Sequence, residues 1–246
     1  MPINNSDKNF KNNEKCEKKH QNLKGDFSMD KKTFVIVGAG KGLGNAVAKE
    51  FANHDFRVVL IARNINHLEE YKEEFENEGI ETYIKVGDAT KPETLIKALD
   101  EVKEEIGTPD VYVYHVGITA SDPDEITNDL LMERYQVDVA SAYVTTNHLA
   151  KDPKFGEKNG TVIFTGGGFA KSFSTIPFLK PLCIDKAAMN AACIVLHDTL
   201  KDKSIFVGSI LVSGVIDPQD EKYAPNLIAK EYWKMYETKS EYQVQY

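Results

Sequence analysis

The chain has 246 residues, of which 41% are hydrophobic and 28% charged, and its net charge is −8. The length and the ordinary composition predict a soluble domain with a well-buried core. The acidic balance argues against a nucleic-acid partner, which would require a basic face, and the sequence has no apolar run of the roughly 18 residues that a membrane span needs.

The first 30 residues form a segment rich in Asn and Lys, with hardly any apolar side chain to bury. That composition cannot offset the entropy lost on ordering, so we expect residues 1–30 to be a disordered tail. The segment lacks the apolar stretch of a secretory signal, and its acidic residues argue against a transit peptide. Met29, just before the first predicted strand, is an alternative start. We expect residues 31–246 to form one domain.

Short β-branched runs alternate with helical patterns from residue 31 onward. Almost uninterrupted apolar character is typical of strands that are buried on both faces of a parallel sheet. The predicted strands are residues 33–37, 57–61, 82–86, 111–114, 161–165 and 205–212. The repeated alternation of strand and helix predicts an α/β fold with a doubly wound parallel sheet.

The ends of several helices carry their own signals. A helical pattern over residues 67–79 should stop at Gly79. The run "TKPE" at Thr90–Glu93 predicts a capping box, with a proline in the first turn, for a helix that runs toward Glu105. A last helix begins at Pro225, and its apolar face could be core, a lid over a cleft or a dimer contact; core is the commonest explanation for such spacing. That face comprises Ile228, Tyr232, Trp233 and Met235.

The first predicted strand runs directly into "GAGKGLGNAVAKEFA", residues 38–52. Gly38, Gly40 and Gly42 would let the backbone turn tightly and approach a pyrophosphate, and Gly44 would let the next helix pack closely on the sheet. The N-terminus of that helix favours the phosphate charge. Because the motif follows a strand and opens a helix, it predicts a dinucleotide-binding loop; a purely structural turn is the alternative.

The spacing of Gly38, Gly42 and Gly44 (GxxxGxG) resembles that of the short-chain dehydrogenase/reductase family, and the length and strand order agree. The resemblance covers about residues 32–217. It implies a Rossmann fold and a nicotinamide cofactor held by a loop that includes Leu43. It also implies a small-molecule substrate and a homodimer or homotetramer.

In that family, the residue at the end of the second strand selects the cofactor. An acidic residue there would bind the ribose 2′-hydroxyl of NAD, but this chain has Ala62 followed by Arg63. Arg63 and Lys41 match positions that contact the 2′-phosphate in family members that use NADP. The two cations therefore favour NADP(H) over NAD(H), although one arginine alone could be a solvated strand end. Asp88, in "GDAT", matches a turn that touches the adenine, and a helix-leading turn explains it nearly as well.

The catalytic half departs from the family pattern. Where the family has Asn-Asn-Ala-Gly after the fourth strand, this chain has "YHVG", so only Gly117 matches. His115, at the carboxyl end of a strand, could donate a proton or be a structural group. Gly214, in "SG" after the sixth strand, matches a position near the nicotinamide carboxamide.

The four catalytic positions of the family are mostly changed. Asp138 stands in place of the asparagine, and near Lys186 it should form an ion pair, because an ionised carboxylate cannot donate a hydrogen bond. Gly166 and Gly167 stand in place of the serine, so Thr165 is the nearest hydroxyl. The three glycines of this stretch could let the backbone come close to the nicotinamide or could leave an open floor for substrate. Leu182 replaces the tyrosine, and no tyrosine occurs between Val144 and Lys222.

Only Lys186 keeps the residue type found in the family. In the family, that lysine holds the nicotinamide ribose and lowers the pKa of the tyrosine. A solvated helix lysine is the alternative interpretation.

The three cysteines have no metal-ligand spacing, so the sequence predicts no metal site. They are typical of reduced thiols in the cytoplasm, and we expect Cys183 and Cys193 to lie in the core.

Three functions are compatible with these residues. The first is an oxidoreductase that transfers hydride between NADP(H) and a small carbonyl or alcohol. Its unusual proton donor would be Thr165, Ser172, Ser174, His115 or a relayed water. The second is a catalytically silent NADP(H)-binding sensor or scaffold. The third is another reaction on the same fold, such as dehydration or epimerisation. The first is the favoured hypothesis.

Overall fold

Seven parallel strands form one sheet in the computed structural model, which describes residues 31–168 and 175–246. The strands are β1 (Lys32–Val37), β2 (Phe56–Ala62), β3 (Thr82–Val86), β4 (Val111–Tyr114), β5 (Thr161–Gly167), β6 (Phe206–Val212) and β7 (Gln243–Gln245). Their order across the sheet is β3-β2-β1-β4-β5-β6-β7. Since the order reverses beside β1, the loops after β1 and β4 diverge and leave a crevice at their carboxyl ends.

Helices cover both faces of this sheet within the described ranges. They are α1 (Leu43–Ala52), α2 (Ile65–Asn77), α3 (Pro92–Glu105), α4 (Asn128–Tyr135), α5 (Ser141–Leu149), α6 (Pro153–Glu157), α7 (Lys180–Leu200) and α8 (Pro225–Thr238). One turn of π-helix, Gln136–Ala140, joins α4 to α5, and a 3₁₀ turn, Lys201–Lys203, follows α7.

The core consists of two apolar layers, one on each face of the sheet. Alternate residues of each strand point to opposite faces, so that Phe34 packs with α1, α2 and α8 while Val35 packs with α3, α5 and α7. Cys193 is fully buried in the second layer, as predicted, whereas Cys183 is only half-buried. The apolar face of α8 is core, because Ile228 and Tyr232 are both 0% exposed.

The predicted doubly wound sheet is confirmed, and the six predicted strands match β1 to β6 within a few residues. The helix α2 ends just before Gly79, whose φ of +80° suits a left-handed turn. The predicted capping box at Thr90–Glu93 is wrong: the residue before α3 is Lys91, and no side chain caps the helix.

The residues that the structure describes contain no helix with both the length and the hydropathy for a membrane span.

Candidate functional site

A cleft of about 530 Å³ opens at the carboxyl ends of β1 to β4. Its walls come from the loops that follow these strands and from the start of the π-helical turn. The predicted cofactor residues that line it are Gly38, Arg63, Asp88 and Gly117, and the predicted catalytic residue that lines it is His115.

In the glycine loop after β1, two glycines pack closely against backbone carbonyl groups. Gly38 has φ +96°, and a Cβ placed on it would lie 2.0 Å from the carbonyl oxygen of His115. A Cβ on Gly44 would lie 2.7 Å from the carbonyl oxygen of Gly38. Cβ atoms on Gly40 and Gly42, in contrast, would meet no atom within 4 Å. The loop therefore has a closed side and an open side, and it fits a phosphate group at the start of α1.

Asn45 holds this loop, and the sequence analysis missed it. Its Oδ1 accepts a hydrogen bond from the backbone N–H of Gly40 at 3.0 Å, and its own N–H donates to the Gly40 carbonyl, also at 3.0 Å. Asn45 is buried. The sequence did offer a signal for this role: an asparagine lies in the first turn of the helix that follows the glycine loop. The side chain of Leu43, a predicted cofactor residue, is buried in the core.

The far end of the cleft carries the predicted adenosine contacts. Arg63 is exposed and lines the cleft directly after β2. Its neighbour Asn64 caps α2, because its side chain accepts from the N–H of Asn66 at 2.9 Å. Lys41 projects into solvent and lies 3.9 Å from Glu70, outside the residues that line the cleft. The structure thus brings one of the two predicted cations to the cleft wall.

Asp88 forms the helix-leading turn, and its contact with the adenine stays a prediction. Its Oδ1 accepts a hydrogen bond from the N–H of Thr90 at 2.9 Å, which makes a helix-leading turn. The residue also lines the cleft.

Lys186 lies in a buried site beneath Gly117. Its ammonium lies 3.2 Å from Asp138 Oδ1, so the predicted ion pair forms, and it donates at 3.1 Å to the carbonyls of Val116 and Thr165. A Cβ on Gly117 would lie 3.1 Å from both the ammonium and Asp138 Oδ1. Because Gly117 has no side chain, its backbone alone separates the pair from the cleft.

The π-helical turn brings Asp138 into that position. Tyr114, at the end of β4, donates its hydroxyl proton to the carbonyl of Val137 and so anchors the turn to the sheet. Arg134, one turn earlier, is buried and donates to the carbonyl of Ile118 at 2.8 Å. Turns of this kind are frequent at functional sites.

Asp185 is a second buried carboxyl beside this pair, and sequence reasoning did not single it out. Its Oδ2 has no hydrogen-bond partner among the described residues, and the residue is 3% exposed. Burial and the charge of Asp138 raise the pKa of Asp185 to about 7, although Lys186 and Arg134 oppose the shift. Asp185 is therefore partly protonated near neutral pH.

A separate chain of polar groups links His115, Thr165 and Tyr232. The Nδ1 of His115 lies 2.8 Å from Thr165 Oγ1, which lies 2.7 Å from the hydroxyl of Tyr232. Burial and the nearby charge of Lys186 lower the pKa of His115 to about 4. Burial also raises the pKa of Tyr232, in the core face of α8, well above its ordinary value. The imidazole and the phenol are both neutral at pH 7.

The predicted catalytic residues therefore divide into two groups. Lys186 and Asp138 lie together beneath Gly117. Thr165 and His115 lie together behind the glycine loop, and the Thr165 hydroxyl is hydrogen-bonded away from the ammonium that its carbonyl holds. Leu182 is buried one turn before Lys186. Ser172 and Ser174 lie outside the described residues.

The expected open floor at the three glycines that end β5 and follow it is wrong for the first and the third, Gly166 and Gly168. A Cβ on Gly166 would lie 2.4 Å from Leu211 Cδ2, and one on Gly168 would lie 2.2 Å from Ser213 Oγ. Both glycines are buried because β6 and the residue after it pack against them. Gly214 similarly packs against the ring of Tyr223, and it does not line the cleft.

Comparison with known proteins places these features in a wider context. A family model described as short chain dehydrogenase matches residues 32–224. Estradiol 17-beta-dehydrogenase 11 of Homo sapiens is 29% identical over 182 residues, which are 74% of this chain and 57% of the relative. The 17-beta-hydroxysteroid dehydrogenase 13 of Homo sapiens is 27% identical over 155 residues, 63% of this chain and 51% of the relative. The chain thus spans just over half the length of these relatives.

Solved structures share the fold. A single-residue variant of actinorhodin polyketide ketoreductase with NADPH superimposes with a TM-score of 0.79 at 16% identity, over 89% of this chain and 96% of that one. The alcohol dehydrogenase of Thermococcus sibiricus, complexed with 5-hydroxy-NADP, gives a TM-score of 0.75 at 20% identity, over 87% and 94% of the two chains.

Proposed function

Because this chain belongs to the short chain dehydrogenase family, we propose that it is an NADP(H)-dependent oxidoreductase acting on a small carbonyl or alcohol. Its proton donor differs from the family's tyrosine, since Leu182 occupies that position. The observation that carries the proposal is the cleft itself: a glycine loop with a closed and an open side, at the start of a helix, with Arg63 on the wall.

The pyrophosphate would be held by the glycine loop, through Gly38, Gly40, Gly42 and Gly44. Arg63 would bind the 2′-phosphate through a charge-assisted hydrogen bond. When bound, the nicotinamide supplies or accepts the hydride. NADP(H) preference is supported by the cation at position 63 and by the lack of an acidic residue at the end of β2, where Ala62 stands.

The proton on the substrate oxygen would come from Lys186. Its ammonium lies directly against Gly117, where a Cβ would be 3.1 Å from Nζ. In the reductive direction, Nζ would exchange one protein contact for the substrate oxygen and give it a proton. Asp185, which is partly protonated near neutral pH, would return a proton to Nζ and be protonated again from solvent. In the oxidative direction the same groups would take the proton up.

A specific observation also favours the silent binding module. The ammonium of Lys186 already donates to two backbone carbonyls at 3.1 Å, and it is paired with the carboxylate of Asp138 at 3.2 Å. A lysine that is satisfied in this way holds β4, β5 and the π-helical turn together whether or not a substrate binds. Under this second candidate, the chain would bind NADP(H) and catalyse no hydride transfer.

We also propose that the chain self-associates and resides in the cytoplasm. An apolar groove between α5 and α7, lined by Tyr135, Tyr143, Val144 and Val195 among others, supports self-association, because large exposed apolar patches mark interaction sites. The net charge of −8 and the two unpaired thiols of the described residues, Cys183 and Cys193, support a reducing compartment.

Titration with nicotinamide cofactors tests the binding part of the proposal. We expect NADPH to bind more tightly than NADH, and Arg63→Ala to weaken NADPH about tenfold while leaving NADH nearly unchanged. Lys97→Ala, which removes an exposed cation on α3 away from the cleft, is the control. Equal affinities for the two cofactors in the wild type would contradict the NADP(H) assignment.

Turnover separates the two candidates. A panel of ketones and aldehydes should give slow NADPH oxidation that is lost in Lys186→Met. If no variant and no substrate gives turnover while NADPH still binds, the silent module is correct. Turnover that persists unchanged in Lys186→Met would exclude Lys186 as the proton donor.

A further inference from the structure

In the series of hydrogen bonds through Tyr232, Thr165 and His115, the structure determines which atom donates at each step. This series joins α8 to β5 and β4, and it ends at an imidazole that lines the cleft. Each heavy-atom distance leaves open which atom donates. The protons can nevertheless be assigned by asking which arrangement leaves every buried donor with an acceptor.

Tyr232 decides the arrangement. The residue is 0% exposed, and among the described residues its hydroxyl contacts one polar partner, Thr165 Oγ1. If Thr165 donated to Tyr232, the phenolic proton would be buried without an acceptor, which is costly. Tyr232 therefore donates to Thr165, and the Thr165 proton goes to Nδ1 of His115. Nδ1 is an acceptor, so the proton of the neutral ring is on Nε2.

We propose that His115 is held as the Nε2–H tautomer and that this N–H donates a hydrogen bond to the pyrophosphate of the bound dinucleotide. The proposal rests on the proposed function for the identity of the ligand. Thr165 and Tyr232 are then positioning residues, since they act on the cofactor only through the imidazole.

The position of the ring favours a phosphate oxygen as the acceptor. A Cβ on Gly44 would lie 3.1 Å from Cδ2 of His115, the carbon bonded to Nε2, so this edge of the ring faces the start of α1. Gly38, at the other end of the loop, contacts the carbonyl of the same residue. Within residues 31–168 and 175–246, the hydrogen bond of the His115 ring is made by Nδ1, and Nε2 takes no part in it.

The charge state of the ring agrees with this role. Because its pKa is lowered to about 4, His115 is a neutral donor throughout the physiological range. A neutral N–H can bind an anion without the desolvation cost of a buried cation.

The tautomer can be measured on the protein without cofactor. In ¹⁵N-labelled protein, long-range ¹H–¹⁵N correlation separates a protonated from a bare imidazole nitrogen, and the signals missing in His115→Gln identify His115. We expect a protonated Nε2 and a bare Nδ1 from pH 8 down to about pH 5.5, well above the lowered pKa. A protonated Nδ1 in the wild type would overturn the proposal.

Matched variants test the chain. Thr165→Val removes the hydroxyl at nearly constant volume, and Thr165→Ser retains it. We expect a mixture of tautomers in the first and the wild-type tautomer in the second. Tyr232→Phe should loosen the contact between Thr165 Oγ1 and His115 Nδ1. Tyr236→Phe is the control, because Tyr236 lies on the same helix and accepts a hydrogen bond from Lys32, and it should not change the His115 signals. Identical signals in Thr165→Val and wild type would contradict the role of Thr165.

Affinity tests the ligand. His115→Leu should weaken NADPH about tenfold, and His115→Gln, which offers an amide N–H, should recover most of that loss. Neither should change the affinity for adenosine 2′-phosphate, which lacks the pyrophosphate, whereas Arg63→Ala should weaken both ligands. If His115→Leu binds NADPH as tightly as the wild type, the imidazole does not contact the cofactor. If the wild type binds no NADPH and no NADH, the proposed function fails, and the tautomer measurement still decides the direction of the chain.

Discussion

At the level of single residues, the buried charges around Lys186 are explained by the residue type at position 138. A carboxylate at position 138 gives the ammonium an opposite charge in a site where both side chains are under a tenth exposed. Removing one partner of such a pair typically costs about 3–5 kcal/mol, because the other charge is left buried and uncompensated. Asp138 and Lys186 therefore have to be interpreted together, as a structural unit at the cleft floor.

The third charged group of this site, Asp185, predicts a pH-dependent effect on stability. Its folded-state pKa of about 7 lies above the ordinary 3.8, so the folded protein holds this proton more tightly than the unfolded chain. The stabilisation is present below pH 4 and is lost as pH rises through about 7. Asp185→Asn mimics the protonated acid, so we expect it to match the wild type only below about pH 4. Its advantage in stability should grow as pH rises from 4 to 7 and should be complete at pH 8.

Urea unfolding at several pH values measures this difference. His115 acts in the opposite direction: its pKa is lowered to about 4, so its contribution falls as pH drops from 6.5 towards 4. It is common to both proteins and cancels in the comparison. Asp202→Asn, at an exposed carboxyl in the turn after α7, is the control and should show no pH-dependent difference. A constant stability gap between Asp185→Asn and the wild type at all pH values would disprove the assignment.

At the scale of elements, the sequence predicts the strands well because their signal is local. Runs such as "TFVIV" are β-branched and apolar throughout, and the burial of both faces requires nothing else. The strand β7 was missed because "QVQ" has one apolar residue, and it pairs with β6 only through tertiary contact. The capping box was wrong because other local bonds form instead: Asp88 Oδ1 accepts from the N–H of Thr90, and Thr94 Oγ1 accepts from the N–H of Asp88.

The candidate site was predictable only in part for the same reason. The glycine loop follows from residue types at a known spacing, whereas Arg63 and the Lys186–Asp138 pair follow from the resemblance to the family. The contacts of Asp185, Asn45 and Tyr232 join distant segments of the chain, and no local pattern encodes them. The packing of the glycines after β5 against β6 likewise depends on the neighbouring strand.

That packing gives a prediction for β5. In Gly166→Ala, the new methyl group would meet Leu211 and Ser209, so we expect a loss of stability of about 1–3 kcal/mol from overpacking. Gly40→Ala is the matched control, because its Cβ would face open space, and its stability should be equal to that of the wild type or slightly higher. Urea unfolding measures both. Equal stability of the two variants would show that β6 yields to the methyl group.

At the scale of the whole molecule, strand order explains why the candidate site lies where it does. The reversal of order beside β1 brings the ends of β1 and β4 to one crevice, and the first half of the chain supplies the cofactor loops there. The second half, β5 to β7 with α7 and α8, supplies the groups beneath and behind that crevice. One face of α7 therefore contributes residues to the site, and the opposite face of this helix is exposed to solvent.

The open face of α7 carries the last prediction. Val195 is 48% exposed, and with Tyr143 and Val144 of α5 it borders a groove of about 480 Å³ that is mostly apolar. If two copies bury this groove against each other, a carboxylate at its centre would be desolvated without a partner, so Val195→Asp should dissociate the assembly. Light scattering after size-exclusion chromatography would then show the monomer mass, while Val86→Asp, at an equally exposed valine at the end of β3, should retain the wild-type mass. A monomeric wild type, or a Val195→Asp variant with unchanged mass, would mean that this groove is not a contact between copies of the chain.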